Sequence, residues 1–206
     1  MKTIGLPFDD ERTRGEIVAA AEALVGMKQA DELYQTLLYP YDEPAEAKRM
    51  ALSQSGCALA CMAILRVCGC RDARLLRPYA EQVGQAVAIV VGIARSRGAW
   101  MDAQRWTADR VFPGPGDMVL IGGTGDYGGP EHVFTITDIS ADGLIGSVDA
   151  GQPDIAKRVR RLVPHGTQLW ARRTNRTGGR RLQGWLSCTK LGLPDEQPDD
   201  NETLSE

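Results

Sequence analysis

The sequence predicts an α+β domain in which helices come first and an antiparallel sheet follows. Two observations predict this order. Ahead of the turn Pro113–Asp117 the apolar residues recur at helical spacing, and after it short apolar–polar alternations are separated by glycines. We expect a single domain over residues 1–193, because 206 residues with 43% apolar content supply one core. The tail 194–206 (PDEQPDDNETLSE) is acidic and nearly devoid of apolar residues, so we expect it to be disordered.

Three helices are predicted ahead of this turn. The first spans Thr13–Met27 (TRGEIVAAAEALVGM), where the apolar residues form one stripe and Gly26 is a stop signal. The second spans Cys57–Val67, follows the sequence Ser-Gln-Ser-Gly and is closed by Gly69. The third spans Leu75–Arg97 and is apolar over much of its length, so we expect it to be half buried.

Six short runs after the turn have the pattern typical of half-buried antiparallel strands. Val, Ile, Thr and aromatic residues alternate with polar residues in several of these runs. In chain order the runs are MVLIGG, HVFTITDI, GLIGSVDA, AKRVRRLV, TQLWARRT and RRLQGWLS.

Charge and composition exclude several classes of function. The net charge of −3 and the pI near 5.5 leave no basic footprint for nucleic acid. The basic run between residues 157 and 181 is attributed to the solvated face of alternating strands, although a site for an anionic polymer would show the same pattern. No apolar window approaches the roughly 20 residues of a membrane span, and no secretory signal is visible. We therefore expect synthesis in the cytoplasm, with any export by lysis or a secretion machine.

Cys57 is the candidate nucleophile. It stands at a helix start, where the helix dipole and the backbone N–H groups stabilise a thiolate. The same N–H groups, with Gly56 beside them, are expected to form an oxyanion hole. Cys61 and Cys68 follow on the same helical face and are core candidates. Together with Cys70 these cysteines match no common zinc spacing, so we expect neither a metal nor a cofactor.

Two histidines are candidates for the general base. His132 opens the run HVFTITDI directly after a glycine-rich loop, so its ring is expected at the rim of the sheet. His165 lies in the sequence VPHGTQ, which is typical of a surface turn. We therefore expect His132 to be the base.

The run GLIGSVDA supplies the group that is expected to orient the imidazole. If this run forms a hairpin with HVFTITDI about a turn at residues 140–143, His132 lies roughly opposite Gly151. Asp149 is then a diagonal neighbour of His132 and within reach of its ring. Gln152 and Asp154 are the alternatives.

The order of these motifs resembles the NlpC-type and CHAP-type cysteine peptidases and amidases of the papain-like superfamily. Those families open with an Ala-rich helix ending in Gly, here EIVAAAEALVG, and continue with a helix headed by Cys, here GCALACMAILRVCG. A Pro-Gly-Asp turn, a strand headed by His and a strand with a polar third residue follow, here GPGDMVLI, EHVFTITDI and GSVDAGQ. A basic strand and a Gly-Trp strand, RVRRLV and LQGWLS, complete an order that covers residues 14–188.

The resemblance implies a papain-like fold, with N-terminal helices packed on a C-terminal antiparallel sheet, and a cysteine hydrolase activity. Members of these families cut peptide or amide bonds in bacterial peptidoglycan. Carried onto this chain, the resemblance implies that Cys57 attacks the carbonyl, His132 transfers the proton and Asp149 orients the ring. A phage-assembly or secretion partner would fit such an enzyme.

The surroundings of the nucleophile are also expected from the resemblance. Gln54 resembles the oxyanion glutamine of papain, at a different spacing, and Tyr41 or Tyr39 stands in for a tyrosine that the families place beside the nucleophile. Gly56 and Ala58 flank the cysteine where many relatives have Asp and then Gly or Ser. A catalytically silent binding or assembly module, and an effector acting on protein amide or isopeptide bonds, remain open alternatives.

Overall fold

The computed structural model of the chain describes eight stretches with gaps between them. These stretches are residues 10–28, 56–70, 86–104, 111–122, 130–150, 154–165, 168–174 and 179–191. The tail 194–206 lies outside them, and so do the candidate residues Gln54, Tyr39, Tyr41 and Gln152.

Four helices lie in the described residues: α1 (Asp10–Ala23), α2 (Gly56–Val67), α3 (Ala86–Ser96) and the short α4 (Cys188–Leu191). The helix predicted over Cys57–Val67 is confirmed to within one residue, and a φ of 88° at Gly69 follows its last turn. α1 begins three residues earlier than predicted and ends before Gly26, whose φ is 89°. None of these four helices is both long enough and apolar enough to cross a membrane.

Seven strands follow α3 in the described residues. They are β1 (Trp100–Asp102), β2 (Met118–Gly122), β3 (Pro130–Ile139), β4 (Leu144–Ala150), β5 (Ile155–His165), β6 (Gln168–Arg173) and β7 (Arg180–Leu186). The six alternating runs of the sequence correspond to β2–β7, so the prediction of these strands is confirmed. The short β1 was not among the predicted strands, because three residues carry too little pattern to reveal a strand.

The strands close into a six-stranded antiparallel barrel. The strand order is β1-β7-β2-β3-β4-β5-β6, and β6 also pairs with β7. The ring therefore consists of β2–β7, and β1 is an additional strand paired with β7. One edge of β7 pairs with β6 through Arg180 and Arg181 and with β1 through residues 184–186. The other edge runs along β2. β7 is therefore the strand that closes the ring.

The prediction of a papain-like α+β fold is wrong. The described residues form this closed barrel with a few short helices, rather than helices packed on an open antiparallel sheet. Alternation along a strand predicts which of its faces is buried. It does not predict which distant strand pairs with it. β7 pairs with its sequence neighbour β6 and also with β2, and the pairs with β2, such as Met118 with Leu186, join residues that are far apart in the chain. No local pattern therefore reveals the closure.

Two apolar clusters hold the barrel and the helices together. One lies inside the barrel and includes Phe134, Ile136 and Trp185, and the other lies between the barrel and the helices and includes Val133 and Val148. Alternation along β3 sends Val133 toward the helices and Phe134 inward. β2 is buried along its whole length, because both of its faces are covered.

Asp117 fastens the turn ahead of β2. Its buried carboxylate accepts hydrogen bonds from the N–H of Gly114 at 2.9 Å and from the N–H of Cys188 at 3.0 Å. Arg14 of α1 lies 3.7 Å from this carboxylate and donates to the carbonyl of Pro115 at 2.6 Å. Burial raises the pKa of Asp117 despite these contacts. Asp117 thus ties α1 and α4 to the start of the barrel.

Gly184 of β7 makes the close approach of β1 possible. A Cβ at this position would lie 2.6 Å from the carbonyl oxygen of Met101 and would overlap the ring of Trp100. We expect Gly184→Ala to lower the free energy of unfolding, measured in urea, by about 1–3 kcal/mol, the cost of an overpacked core. Gly15→Ala in α1 is the control. No atom lies within 4 Å of its added Cβ, and alanine favours a helix by up to about 1 kcal/mol over glycine. Equal stability of the two variants would contradict the packing described for β7.

Candidate active site

Cys57 is the second residue of α2, so its thiol lies at the positive end of the helix dipole. α2 packs against β3 and β4, and this packing brings its first turn to the ring of His132. Cys57 is 4% exposed, and its side chain forms a hydrogen bond with His132. The predicted nucleophile and the predicted base are therefore in contact.

His132, near the start of β3, lies between the thiol and a carboxylate. Its Nε2 is 2.6 Å from Oδ1 of Asp149. Because Asp149 engages Nε2, Nδ1 is the ring nitrogen that faces Cys57 and can receive the thiol proton. The side chain of His132 is 15% exposed and that of Asp149 is 3% exposed, so the pair is largely shielded from water.

The hairpin of β3 and β4 explains why this contact forms. Ile136 pairs with Ser147, and continuing this register puts Asp149 one diagonal step from His132. Counting outward from the centre of the turn predicts the same register. The pairs beside the turn, such as Asp138 with Gly146, are one residue out of this register. Thr137 is an extra residue in β3 that shifts the pairing by one, and this bulge produces the register that brings Asp149 to His132.

The Asp149 carboxylate has its acceptor positions filled. Oδ1 accepts from Nε2 of His132 and from Nη2 of Arg160. Oδ2 accepts from Oγ of Ser147 at 2.8 Å and from Nη1 of Arg160 at 2.6 Å. Since an ionised carboxylate has about four acceptor positions, each has a donor. The guanidinium of Arg160 also lies over the ring of Phe134, with its Cζ 4.2 Å from the ring centroid.

Burial and hydrogen bonding act in opposite directions on the two titrating groups. Burial favours neutral Asp149, but the hydrogen bonds and charges of His132 and Arg160 outweigh it, so the pKa of Asp149 lies well below its usual range. Burial also favours neutral His132, but the hydrogen bonds with Asp149 and Cys57 outweigh it, so the pKa of His132 is raised. Asp149 is therefore an anion at neutral pH, and His132 is suited to hold the proton that Cys57 releases.

Three other cysteines are poorly suited to be nucleophiles. Burial raises the pKa of Cys61 strongly, although its Sγ lies 3.8 Å from Oγ1 of Thr135, which acts in the opposite direction. Burial raises the pKa of Cys68 to about 11 and that of Cys188 to about 12. These thiols stay protonated at neutral pH, which favours Cys57 as the nucleophile.

Arg160 is the site residue that the sequence analysis missed. The basic run 157–181 predicts solvated side chains, and Arg158 and Arg161 are exposed, but Arg160 is 2% exposed. The prediction is wrong at this position because the buried carboxylate compensates the guanidinium charge. The pairing of β4 with β5 indicates that Arg160 is buried, because Arg160 lies opposite Ile145, which belongs to the cluster inside the barrel.

Three further candidate residues occupy other positions. Gly56 is the first residue of α2, directly beside the nucleophile. Asp154 forms an isolated bridge with Lys28, and the carboxylate bonded to the imidazole is that of Asp149. His165 ends β5, where its backbone pairs with Gln168.

Within the stretches that the structure describes, no group of three His, Cys, Asp or Glu side chains is arranged to hold a metal ion. No protein-family model, no curated protein and no solved structure matches this chain.

The titration of His132 is predicted to depend on Asp149. Because the chain has 2 histidines, NMR of the imidazole protons follows both, and His165→Gln assigns the signals. We expect the pKa of His132 to fall in Asp149→Ala, since this variant loses the hydrogen bond and the charge that stabilise the imidazolium. His165 serves as the internal control. An unchanged His132 midpoint would contradict the described contact.

Proposed function

We propose that this protein is a cysteine hydrolase that cleaves peptide or amide bonds with Cys57, His132 and Asp149. The observation that carries the proposal is the continuous series of contacts from thiol to imidazole to carboxylate. A nucleophile, a proton carrier and an orienting group on three packed elements, α2, β3 and β4, suit acyl transfer in two steps.

In the first step, Nδ1 of His132 takes the thiol proton and the Cys57 sulfur attacks the carbonyl carbon of the scissile bond. The new C–S bond produces a tetrahedral oxyanion, which the positive end of α2 stabilises. When this intermediate collapses, the C–N bond breaks and His132 donates its Nδ1 proton to the leaving amine. Asp149 holds Nε2, so Nδ1 stays directed at the sulfur.

In the second step, His132 takes a proton from a water molecule that attacks the carbonyl carbon of the thioester. The C–S bond then breaks, the carboxylic acid leaves, and the thiol of Cys57 is restored with the proton from His132. The same nitrogen therefore serves as base and as acid in both steps.

We propose bacterial peptidoglycan as the substrate, through a stem peptide or its amide link. The support is the order of motifs that resembles the NlpC-type and CHAP-type enzymes, from the Ala-rich helix to the Gly-Trp strand. A protein side-chain amide or an isopeptide bond would use the same three groups, and the experiment below separates these substrates.

A second candidate is a catalytically silent module that binds cell-wall fragments or an assembly partner. The 4% exposure of Cys57 favours it, because a nucleophile has to meet its substrate. The residues that flank the thiol, Gly56 and Ala58, also depart from those of many relatives.

Release of fragments from purified sacculi tests the proposed activity. We expect the wild type to release muropeptides, seen by mass spectrometry, and Cys57→Ala to lower the rate by about 10³-fold or more, as the loss of a nucleophile does. Cys61→Ala is the matched control, since it makes the same substitution one helical turn after Cys57. Equal release by Cys57→Ala would exclude this nucleophile. Binding without release would support the silent module, and release of ammonia or amine from a protein alone would assign the effector.

Selective alkylation tests the nucleophile without any substrate. We expect iodoacetamide at pH 6 to label Cys57 before Cys61, Cys68 and Cys188, because burial raises the pKa of those three thiols. His132→Ala should remove this selectivity, since the imidazolium no longer stabilises the thiolate. Peptide mass mapping measures the order. Uniform labelling of all cysteines in the wild type would contradict the proposal.

A further inference from the structure

Arg160 is a buried charge that the two catalytic steps do not use. Its guanidinium donates to both oxygens of Asp149 and lies over the ring of Phe134. Removing a guanidinium and a carboxylate from water costs several kcal/mol per ion, and apolar side chains in the same space often stabilise a core as well or better. Stability alone is therefore a weak reason for an arginine at this position.

We propose that Arg160 is a positioning residue that holds the Asp149 carboxylate toward His132 and offsets the negative charge that Asp149 presents to the ring. The inference rests on the proposed hydrolase function and adds a fourth residue to its site.

The fixed orientation follows from the planar fork of the guanidinium. Two N–H donors of Arg160 meet the two carboxylate oxygens of Asp149, an arrangement that sets the plane of the carboxylate. Ser147 donates to Oδ2 at 2.8 Å and also accepts from Nη1 of Arg160. With Oδ2 bound in this way, Oδ1 is the oxygen directed at Nε2 of His132. Rotation of the carboxylate would break several hydrogen bonds together.

The compensation of charge follows from the groups around the ring. In the described part of the chain, Cys57 faces His132 from α2, Asp149 faces it from β4, and Arg160 reaches Asp149 from β5. Cys61, also on α2, has a protonated thiol, and the backbone partner of His132 on β2 is an apolar residue. An uncompensated Asp149 would bind the imidazolium more strongly and so resist transfer of its proton to the leaving amine. Arg160 limits this attraction.

Two substitutions separate charge from shape. Arg160→Gln keeps a planar donor but removes the charge, and Arg160→Lys keeps the charge but removes the fork. We expect Arg160→Gln to move the His132 titration midpoint, measured by NMR, upward by about one pH unit or more, and Arg160→Lys to keep it near the wild-type value. The rate of muropeptide release at saturating sacculi should fall about tenfold or more in both, because each loses the fixed carboxylate. Arg161→Gln is the matched control, since Arg161 is exposed on the same strand and lies 3.5 Å from Asp142.

Each outcome decides the inference. A His132 midpoint that is unchanged or lower in Arg160→Gln would overturn it, and so would a midpoint in Arg160→Lys that rises as far. Circular dichroism checks that the variants fold. If Arg160→Gln alone unfolds, the His132 midpoint and the release rate of Arg160→Lys carry the test. If both variants unfold, Arg160 is a structural residue and the inference fails. The NMR measurement needs no substrate. A wild type that cleaves sacculi with no shift in Arg160→Gln therefore removes this inference alone, whereas an inert wild type with unselective labelling removes the proposed function.

Discussion

The buried carboxylate of Asp149 is the constraint on which the site depends. A carboxylate that leaves water without partners is strongly destabilising, so each of its acceptor positions has to be matched by a donor. Three strands supply those donors: β3 through His132, β4 through Ser147 and β5 through Arg160. Satisfying one anion thus fixes the relative placement of three neighbouring strands and directs the imidazole.

The two apolar clusters pack against the site from its two sides. The interior of the barrel supplies Phe134, which supports the guanidinium of Arg160, and the outer face of the same strand supplies Val133, which α2 covers. One strand with a period of two residues therefore serves both sides of the site. The thiol of Cys57 comes from the helical side and the carboxylate from the side of the barrel, and His132 bridges them at the rim.

Local patterns predicted much of this arrangement. The helix that begins beside Cys57 and the six strands follow from spacing and glycine placement. Counting about a single turn predicts the contact between His132 and Asp149, although in the structure the bulge at Thr137 sets that register. Two features could not be obtained in this way. The closure of the barrel depends on strand pairs whose residues are distant in the chain. The burial of Arg160 depends on a carboxylate on another strand, whereas a run of basic residues by itself indicates side chains that are exposed to solvent. Gln54 and Tyr41 lie outside the described residues, and their roles stay predictions, as do the catalytic roles of the site residues.

The closing strand β7 has a consequence for how the chain folds. β3, β4 and β5 are joined in sequence order through neighbouring pairs, so the contacts around Asp149 require only short loops to close. The pairs Met118 with Leu186 and Trp100 with Leu186 instead join residues far apart in the chain. Non-local pairs of this kind raise the contact order, and domains dominated by them fold in milliseconds to seconds rather than in microseconds. The slow event in folding is therefore expected to be the capture of β7, after the strands that carry His132 and Asp149 have met.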